Sequence, residues 1–392
     1  MGRKISVIMP VYNGEQFLEE SLESYFSQTI ASECELIFVD DGSTDATREI
    51  LDACTERFNG YVRVFSQTNQ GSGKARNLGI EAAVGEYIAF LDADDLYPNE
   101  QTLEALYRAA KEHEAQIAGG SLIMFDSTSE YCDYAATVGF EGHTFSESKM
   151  MDYVDYQFDY GYLRFIYERA LLRDWGIVFP DYLRYQDPPF FVRAMLAAGR
   201  FFALEEPSYK YRVSAKAVSW DTRRALDMIR GITEVAVLAA ENNLETLLSY
   251  DLMRLNVDNR RVFFQLILEE GNLEVLAALF AAKNTVVQTK SRLDLESLLK
   301  ATPSILDDLQ LALTQARTYR QAIELSNSLT EELAHKTDEY RQLQAYNETI
   351  LSSTAWKVGR NVTWLPRTLK KQLQGEAPPS GPLDEEEAAF LP

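Results

Sequence analysis

The sequence predicts an α/β fold in which a mixed, mainly parallel sheet is flanked by helices and followed by a helical C-terminal region. Two observations carry this prediction. Over the first hundred or so residues, short apolar runs alternate with amphipathic stretches of helical period, which is βαβα order. Polar and acidic residues also recur just after each apolar run: Tyr12 and Asn13, Asp40 and Asp41, Asn69 to Gly73, and Asp92 to Asp95. A parallel sheet binds its ligand there, beyond the carboxyl ends of its strands.

The elements follow in order. "ISVIMP" reads as a strand and "GEQFLEESLESYFSQ" as its helix; "CELIFVD" pairs with "DATREILDACTERF", "VRVFSQ" with "KARNLGIEAAV", and "EYIAFLD" with "EQTLEALYRAAKEH". After residue 120 the pattern loosens into tyrosine-rich sequence. It then recovers a strand-like "RFIYERALL" and a helix from "DPPFFVRAMLAAG", which read as the acceptor half of the same domain, residues 1–218. Residues 219–318 are helical in period and read as a small helical domain. A thin heptad through Leu329, Leu333, Lys336, Tyr340, Leu343, Asn347 and Ile350 marks residues 319–351 as an extended helix, too polar to define a coiled coil, so self-association stays open. A basic amphipathic segment follows at 352–375. The Pro- and acid-rich residues 376–392 have the composition of a disordered tail.

Composition narrows the chemistry. The chain carries 60 acidic against 38 basic residues, a net charge of −22, which opposes any general attraction to nucleic acid. Three widely spaced cysteines, Cys34, Cys54 and Cys132, and the absence of a secretory leader before "KISVIMP" predict a reducing cytoplasm. No apolar run approaches the roughly 20 residues of a membrane-spanning helix, so contact with a membrane would be made from its surface.

The strand tips carry the candidate chemistry. In "VDDGSTDAT", Asp45 or Ser43 can cap the next helix, which leaves Asp40 and Asp41 unexplained; a carboxylate at that point can accept the imide N–H of a uracil ring. "NQGSGKARNLG" is not a P-loop, because Ala75 replaces the metal-holding Ser or Thr. A Gly-rich turn with Lys74 and Arg76 at a helix start remains a place for a diphosphate or ribose, or a plain surface turn. In "YIAFLDADDLYP" three carboxylates crowd the end of an apolar strand. Asp92 and Asp94 are placed to hold Mg²⁺ or Mn²⁺, and Asp95 reads as structural. An acidic turn alone would fit Asp-Ala-Asp equally well. The convergence of four strand tips favours the metal. His113 and His143 have no ligand partner in sequence, His335 falls in the solvated helix, and the tyrosines between Tyr153 and Tyr185 fit either a sugar-stacking wall or core packing.

With "VIMPVYNGEQFLEESLESYFSQT", "ELIFVDDGSTD", "NQGSGKARNLGI" and "YIAFLDADDLYP" in this order, the chain resembles family 2 glycosyltransferases of the GT-A fold over roughly its first 215 residues. The resemblance implies a nucleotide-diphospho-sugar donor, most often UDP-linked, a divalent metal, Mg²⁺ or Mn²⁺, and inversion at the sugar carbon. It implies that Pro10, Val11, Tyr12 and Asp41 line the base pocket, Arg76 lies near the nucleotide, Asp92 approaches ribose and metal, and Asp94 ligates the metal. Asp187, in "RYQDPPFFVRAM", matches the family's catalytic base; Gln186 stands where the family usually has Glu, which removes a like charge beside it. Asp187 followed by Pro188 also has the form of an N-cap and first helical residue. Arg212, with Lys216, resembles a segment that closes over the diphosphate. The implied acceptor is a glycan or lipid-linked glycan of a surface polysaccharide.

The segment 352–375 carries Lys357, Arg360, Arg367, Lys370 and Lys371 among Trp356 and Trp364 with no acidic residue, which suits an anionic headgroup layer at the inner face of the plasma membrane. Its tryptophans fit packing on the protein as well. The rival to an enzyme is a catalytically silent GT-A scaffold that recruits other glycan-assembly enzymes. Retention of Asp92, Asp94 and Asp187 speaks against it.

Overall fold

Seven apolar or small residues in succession, Ile5–Val11, form the central strand β1, and all seven are buried. Strand β2, Glu35–Asp40, is buried throughout as well. A strand covered on both faces has no reason to alternate, so it reads as a continuous apolar run. The computed structural model describes residues 2–58, 60–126, 130–131, 144–213, 219–302 and 304–309.

The first half is a regular alternation: β1, α1 (Leu18–Phe26), β2, α2 (Thr47–Arg57), β3 (Val62–Ser66), α3 (Ser72–Ala82), β4 (Tyr87–Phe90) and α4 (Thr102–Glu112). Strands β1 to β4 are parallel neighbours in the order β3-β2-β1-β4. The second half adds β5 (Ile117–Phe125), β6 (Glu130–Tyr131), β7 (Lys149–Asp152), the short helix α5 (Tyr153–Tyr156), β8 (Phe165–Glu168), α6 (Arg169–Asp174), α7 (Asp187–Ala198) and β9 (Arg200–Arg212). Here β8 runs antiparallel between β4 and β5, β5 pairs parallel with β9, and β7 closes the edge antiparallel to β9. The sheet is therefore mixed and mainly parallel. The run "RFIYERALL" divides into a strand, Phe165–Glu168, and a helix, Arg169–Asp174.

Close approach of backbone explains one glycine. A Cβ at Gly85 would lie 2.4 Å from the Ser6 amide nitrogen, and Gly85 N–H donates to Ser6 Oγ at 2.8 Å. The tyrosine-rich stretch is largely core: Tyr153, Tyr162, Tyr167 and Tyr185 are buried, and Phe179 stacks on Phe190 at 4.0 Å. His113 stacks on Phe202 at 3.9 Å, which is a packing role.

Beyond β9 come α8 (Thr222–Glu241), α9 (Glu245–Met253), α10 (Arg260–Phe264), α11 (Leu273–Gln288) and α12 (Leu295–Ala301). Asp221, Asn272 and Asp294 cap α8, α11 and α12 by accepting from the amides of Arg224, Val275 and Ser297. A π-helical turn, Arg254–Asp258, interrupts the chain after α9. Helix α8 packs on α7, α9 and α11, so this region rests against the element that carries Asp187. The described residues all fall in one compact unit. The expected boundaries at 318, 351 and 375, the heptad, the basic segment 352–375 and the acidic tail lie outside the described residues, as do Lys216, His143 and His335.

Candidate active site

The carboxyl ends of β1, β2 and β4 open into one cleft of about 1060 Å³. Its walls include Pro10, Val11, Tyr12, Asp41, Arg76, Asp92, Asp94 and Arg212, so eight positions named from sequence meet in one place. Asn13, Gly14, Gln16, Phe17, Ser72, Ala93, Asp126 and Val213 line it too. Of these, Asp126 had no motif to mark it; its only signal was its position just beyond the end of β5. Tyr12 is 52% exposed, an aromatic ring offered to the cleft.

Asp41 is buried and organises the loop after β3. Its carboxylate accepts from Gln67 Nε2, Gln70 N–H and Gly71 N–H, each at 2.8 Å. Gly71 is at φ +94°, a backbone conformation open to glycine, and it ends the loop where α3 begins. The expected diphosphate cradle differs from this arrangement. Lys74 is paired with Asp181 at 2.9 Å, and Arg76 turns inward, where its side chain is 4% exposed.

Arg76 is the hub of the cleft floor. Its Nη2 donates to Asp92 Oδ1 at 2.7 Å, its Nη1 stands 3.8 Å from Asp187 Oδ1, and its guanidinium lies over the rings of Tyr162 and Phe179 at 5.3 and 5.5 Å. A buried cation between two carboxylates offsets the repulsion that Asp-Ala-Asp-Asp would otherwise suffer. Asp95 answers the rest of that problem by a different route. It is buried and accepts from Tyr209 Oη at 2.8 Å and from Arg212 N–H at 2.7 Å, while burial, with Asp92 and Asp94 nearby, pushes its carboxyl well above the usual range. Tyr209 Oη in turn accepts from the Asp92 N–H at 3.1 Å. The structural role expected of Asp95 is met by these bonds.

Arg212 is committed to the same turn. Its Nε donates to the Asp94 carbonyl at 2.7 Å, its Nη2 pairs with Glu20 at 2.5 Å, and its guanidinium lies over Phe17 and Phe125. In this state it braces the acidic turn; closure over a diphosphate would need those bonds to be exchanged.

Asp187 is the first residue of α7, with Gln186 preceding it as the cap position and no side-chain capping bond. The expectation that Asp187 itself caps the helix is thus corrected by one residue. Two prolines, Pro188 and Pro189, take the first turn, where their missing N–H groups cost nothing. The side chain is 35% exposed, yet its Oδ1 is buried with no hydrogen-bond partner. Burial pushes its pKa up to about 6, against the lowering effect of Arg76 and with the help of Asp92. A carboxyl poised near neutrality and not consumed by a direct hydrogen bond can act as a general base.

The donor set also allows a divalent cation. Asp92 and Asp94 are hard oxygen donors on the cleft wall, and Mg²⁺ or Mn²⁺ takes one or two carboxylates with the remainder from phosphate and water. Among the described residues no group of three or more His, Cys, Asp or Glu side chains forms a ready-made metal cage. Asp92 and Asp94 therefore suit a cation whose remaining ligands would come from a phosphorylated ligand and water.

The model of the family described as glycosyl transferase family 2 matches residues 6–173. Residues 6–173 thus resemble a family 2 glycosyltransferase domain, and the fold is GT-A-like. The sequence is 30% identical over 220 residues to the uncharacterized glycosyltransferase EpsJ of Bacillus subtilis, covering 55% of this chain and 62% of that one. It is 31% identical over 220 residues to the poly(ribitol-phosphate) β-N-acetylglucosaminyltransferase TarS of Staphylococcus aureus, covering 53% of this chain and 35% of TarS. The matched stretch thus spans less than two thirds of either relative. The crystal structure of S. aureus TarS 1–349 in complex with UDP-GlcNAc superposes with a TM-score of 0.59 at 25% identity, covering 85% of this chain and 92% of that one. No described helix is long and apolar enough to cross a membrane.

Proposed function

We propose that the protein is an inverting glycosyltransferase. It moves a sugar from a nucleotide-diphospho-sugar, UDP-linked, to a hydroxyl of a glycan or lipid-linked acceptor in the synthesis of a cell-surface polymer. The observation that carries this reading is the position of Asp187: a half-buried carboxyl with a pKa near 6, 3.8 Å from the arginine that also holds Asp92 in the donor cleft. The likeness to TarS, whose complexes include UDP and UDP-GlcNAc, supports a UDP-sugar donor and a polymer acceptor.

In this mechanism Tyr12 and the Asp41-organised loop receive the base, and Asp41, with both oxygens already engaged, keeps lone-pair capacity for one more donor such as an imide N–H. Asp187 takes the proton of the acceptor hydroxyl as that oxygen forms its bond to the anomeric carbon and the anomeric bond to the diphosphate breaks. A single displacement inverts the carbon and needs no covalent sugar intermediate. A divalent ion held by Asp94 and Asp92, Mg²⁺ or Mn²⁺, would supply Lewis-acid stabilisation of the departing diphosphate. Arg76 holds Asp92 in place and keeps positive charge beside both carboxylates.

The test is release of UDP from a panel of UDP-sugars, followed by the same assay on Asp187→Asn. Release by the wild type and a fall in acceptor-dependent turnover of about a hundredfold or more in the variant, with UDP affinity retained, is the expected result for a lost base. No release from any nucleotide-sugar would favour a silent scaffold.

A further inference from the structure

Tyr185, two residues before Asp187, sits at φ +65°, in the left-handed region that a bulky aromatic residue rarely occupies. Such a backbone persists only where surrounding contacts over-determine it. The contacts come from the helical region and from Asp159. The Tyr185 hydroxyl is buried 2.8 Å from Asp251 Oδ1, 2.8 Å from Arg254 Nη1 and 3.2 Å from Asp159 Oδ2. Arg254 reaches Asp159 at 2.5 Å and Asp251 at 3.1 Å, and it stands at the first position of the π-helical turn, a local distortion that re-aims side chains. Burial and the neighbouring Asp159 raise the Asp251 carboxyl well above the usual range.

The main chain is held as well. A Cβ on Gly231 of α8 would meet the Tyr185 carbonyl oxygen at 2.6 Å, and Leu183 N–H donates to Asp227 Oδ2 of the same helix at 3.0 Å. The loop that ends in Asp187 is thus clamped from behind by α8 and by the end of α9.

We propose that Tyr185 is a positioning residue for Asp187, and that the buried Asp159–Tyr185–Asp251–Arg254 cluster makes the helical region part of the catalytic apparatus. The inference rests on the reading of Asp187 as the base. By holding residue 185 in its left-handed conformation, the cluster sets the direction in which α7 begins. That direction decides where the Asp187 carboxyl lies relative to Arg76.

The experiment is a double-mutant cycle on the full chain, with turnover, UDP affinity and thermal unfolding measured for Tyr185→Phe, Asp187→Asn and the pair. Tyr185→Phe keeps the ring and loses the hydroxyl. Expected are a fall in turnover of about tenfold, UDP affinity unchanged within twofold, and a double variant no slower than Asp187→Asn alone, because a positioning residue acts only through the group it positions. If Tyr185→Phe turns over like wild type, or slows the Asp187→Asn background by the same factor, the proposal fails. If Asp187→Asn itself turns over normally, the base assignment has failed instead, and the two failures are distinguished. Should Tyr185→Phe not fold, Gly231→Ala, which leaves every member of the cluster intact and presses on the Tyr185 carbonyl, is put through the same cycle and must give the same non-additive pattern.

Discussion

Arg76 Nη1 stands 3.8 Å from Asp187 Oδ1, and both atoms are buried without a hydrogen-bond partner. The other arm of the same guanidinium donates to Asp92 Oδ1 at 2.7 Å. One cation thus serves two carboxylates on different terms. It fixes Asp92 by a direct charge-assisted bond, and it biases Asp187 through space while leaving that carboxylate able to accept a proton.

The first prediction concerns pH. Asp187 must be ionised to accept a proton, and its pKa lies near 6, so kcat/KM should rise with pH through about 6 and level off above it. Arg76 lowers that pKa; replacing it in Arg76→Gln should move the acidic limb to higher pH, provided circular dichroism shows a folded variant. A limb that stays in place would remove Arg76 from the account of Asp187.

Asp94→Asn tests the cation. UDP-sugar affinity, measured by isothermal titration, should weaken strongly in Mn²⁺ and little in EDTA, because the carboxylate's proposed role is to hold the ion. Equal loss in both conditions would show that Asp94 acts on the nucleotide or on the turn itself.

Gly85→Ala should destabilise the protein by about 1–3 kcal/mol or more, since the added methyl would lie 2.4 Å from a backbone nitrogen of the central strand and no side chain can move to make room. Thermal denaturation would read this as a lower Tm. An unchanged Tm would mean that β1 and the turn before β4 can separate without cost.

Flotation with phosphatidylglycerol vesicles tests the basic segment 352–375. The full chain should bind at low salt and release at high salt, each cation contributing about 1 kcal/mol at the surface, and a chain ending at Leu351 should not bind. Binding that survives the truncation would assign the contact to another surface.

The thiols give a further check. Cys34 and Cys54 are buried, with pKa values pushed up by burial to about 12 and about 11, so both should resist alkylation at neutral pH until the protein unfolds. Rapid labelling of either in the native state would contradict the packing of β2 and α2.

The sequence by itself determined the alternation of strands and helices and the rank of polar residues at the ends of β1, β2 and β4. Those features are written locally. A strand buried on both faces needs a continuous apolar run, a helix needs its own period, and the topology of a parallel sheet sends the residues after each strand to one edge. Tyr12, Asp41, Asp92 and Asp94 could therefore be named from the sequence, and they line one cleft. The tertiary structure decided what those residues do to one another. Asp95 is held by Tyr209 and Arg212 from the far end of the domain, Arg76 is turned inward between Asp92 and Asp187, and Tyr185 is held in a left-handed conformation by Asp251 and Arg254 of the helical region. These pairings join residues remote in sequence. Burial and charge compensation select them once the chain is folded, and no local period or motif encodes which distant partner a buried charge will find.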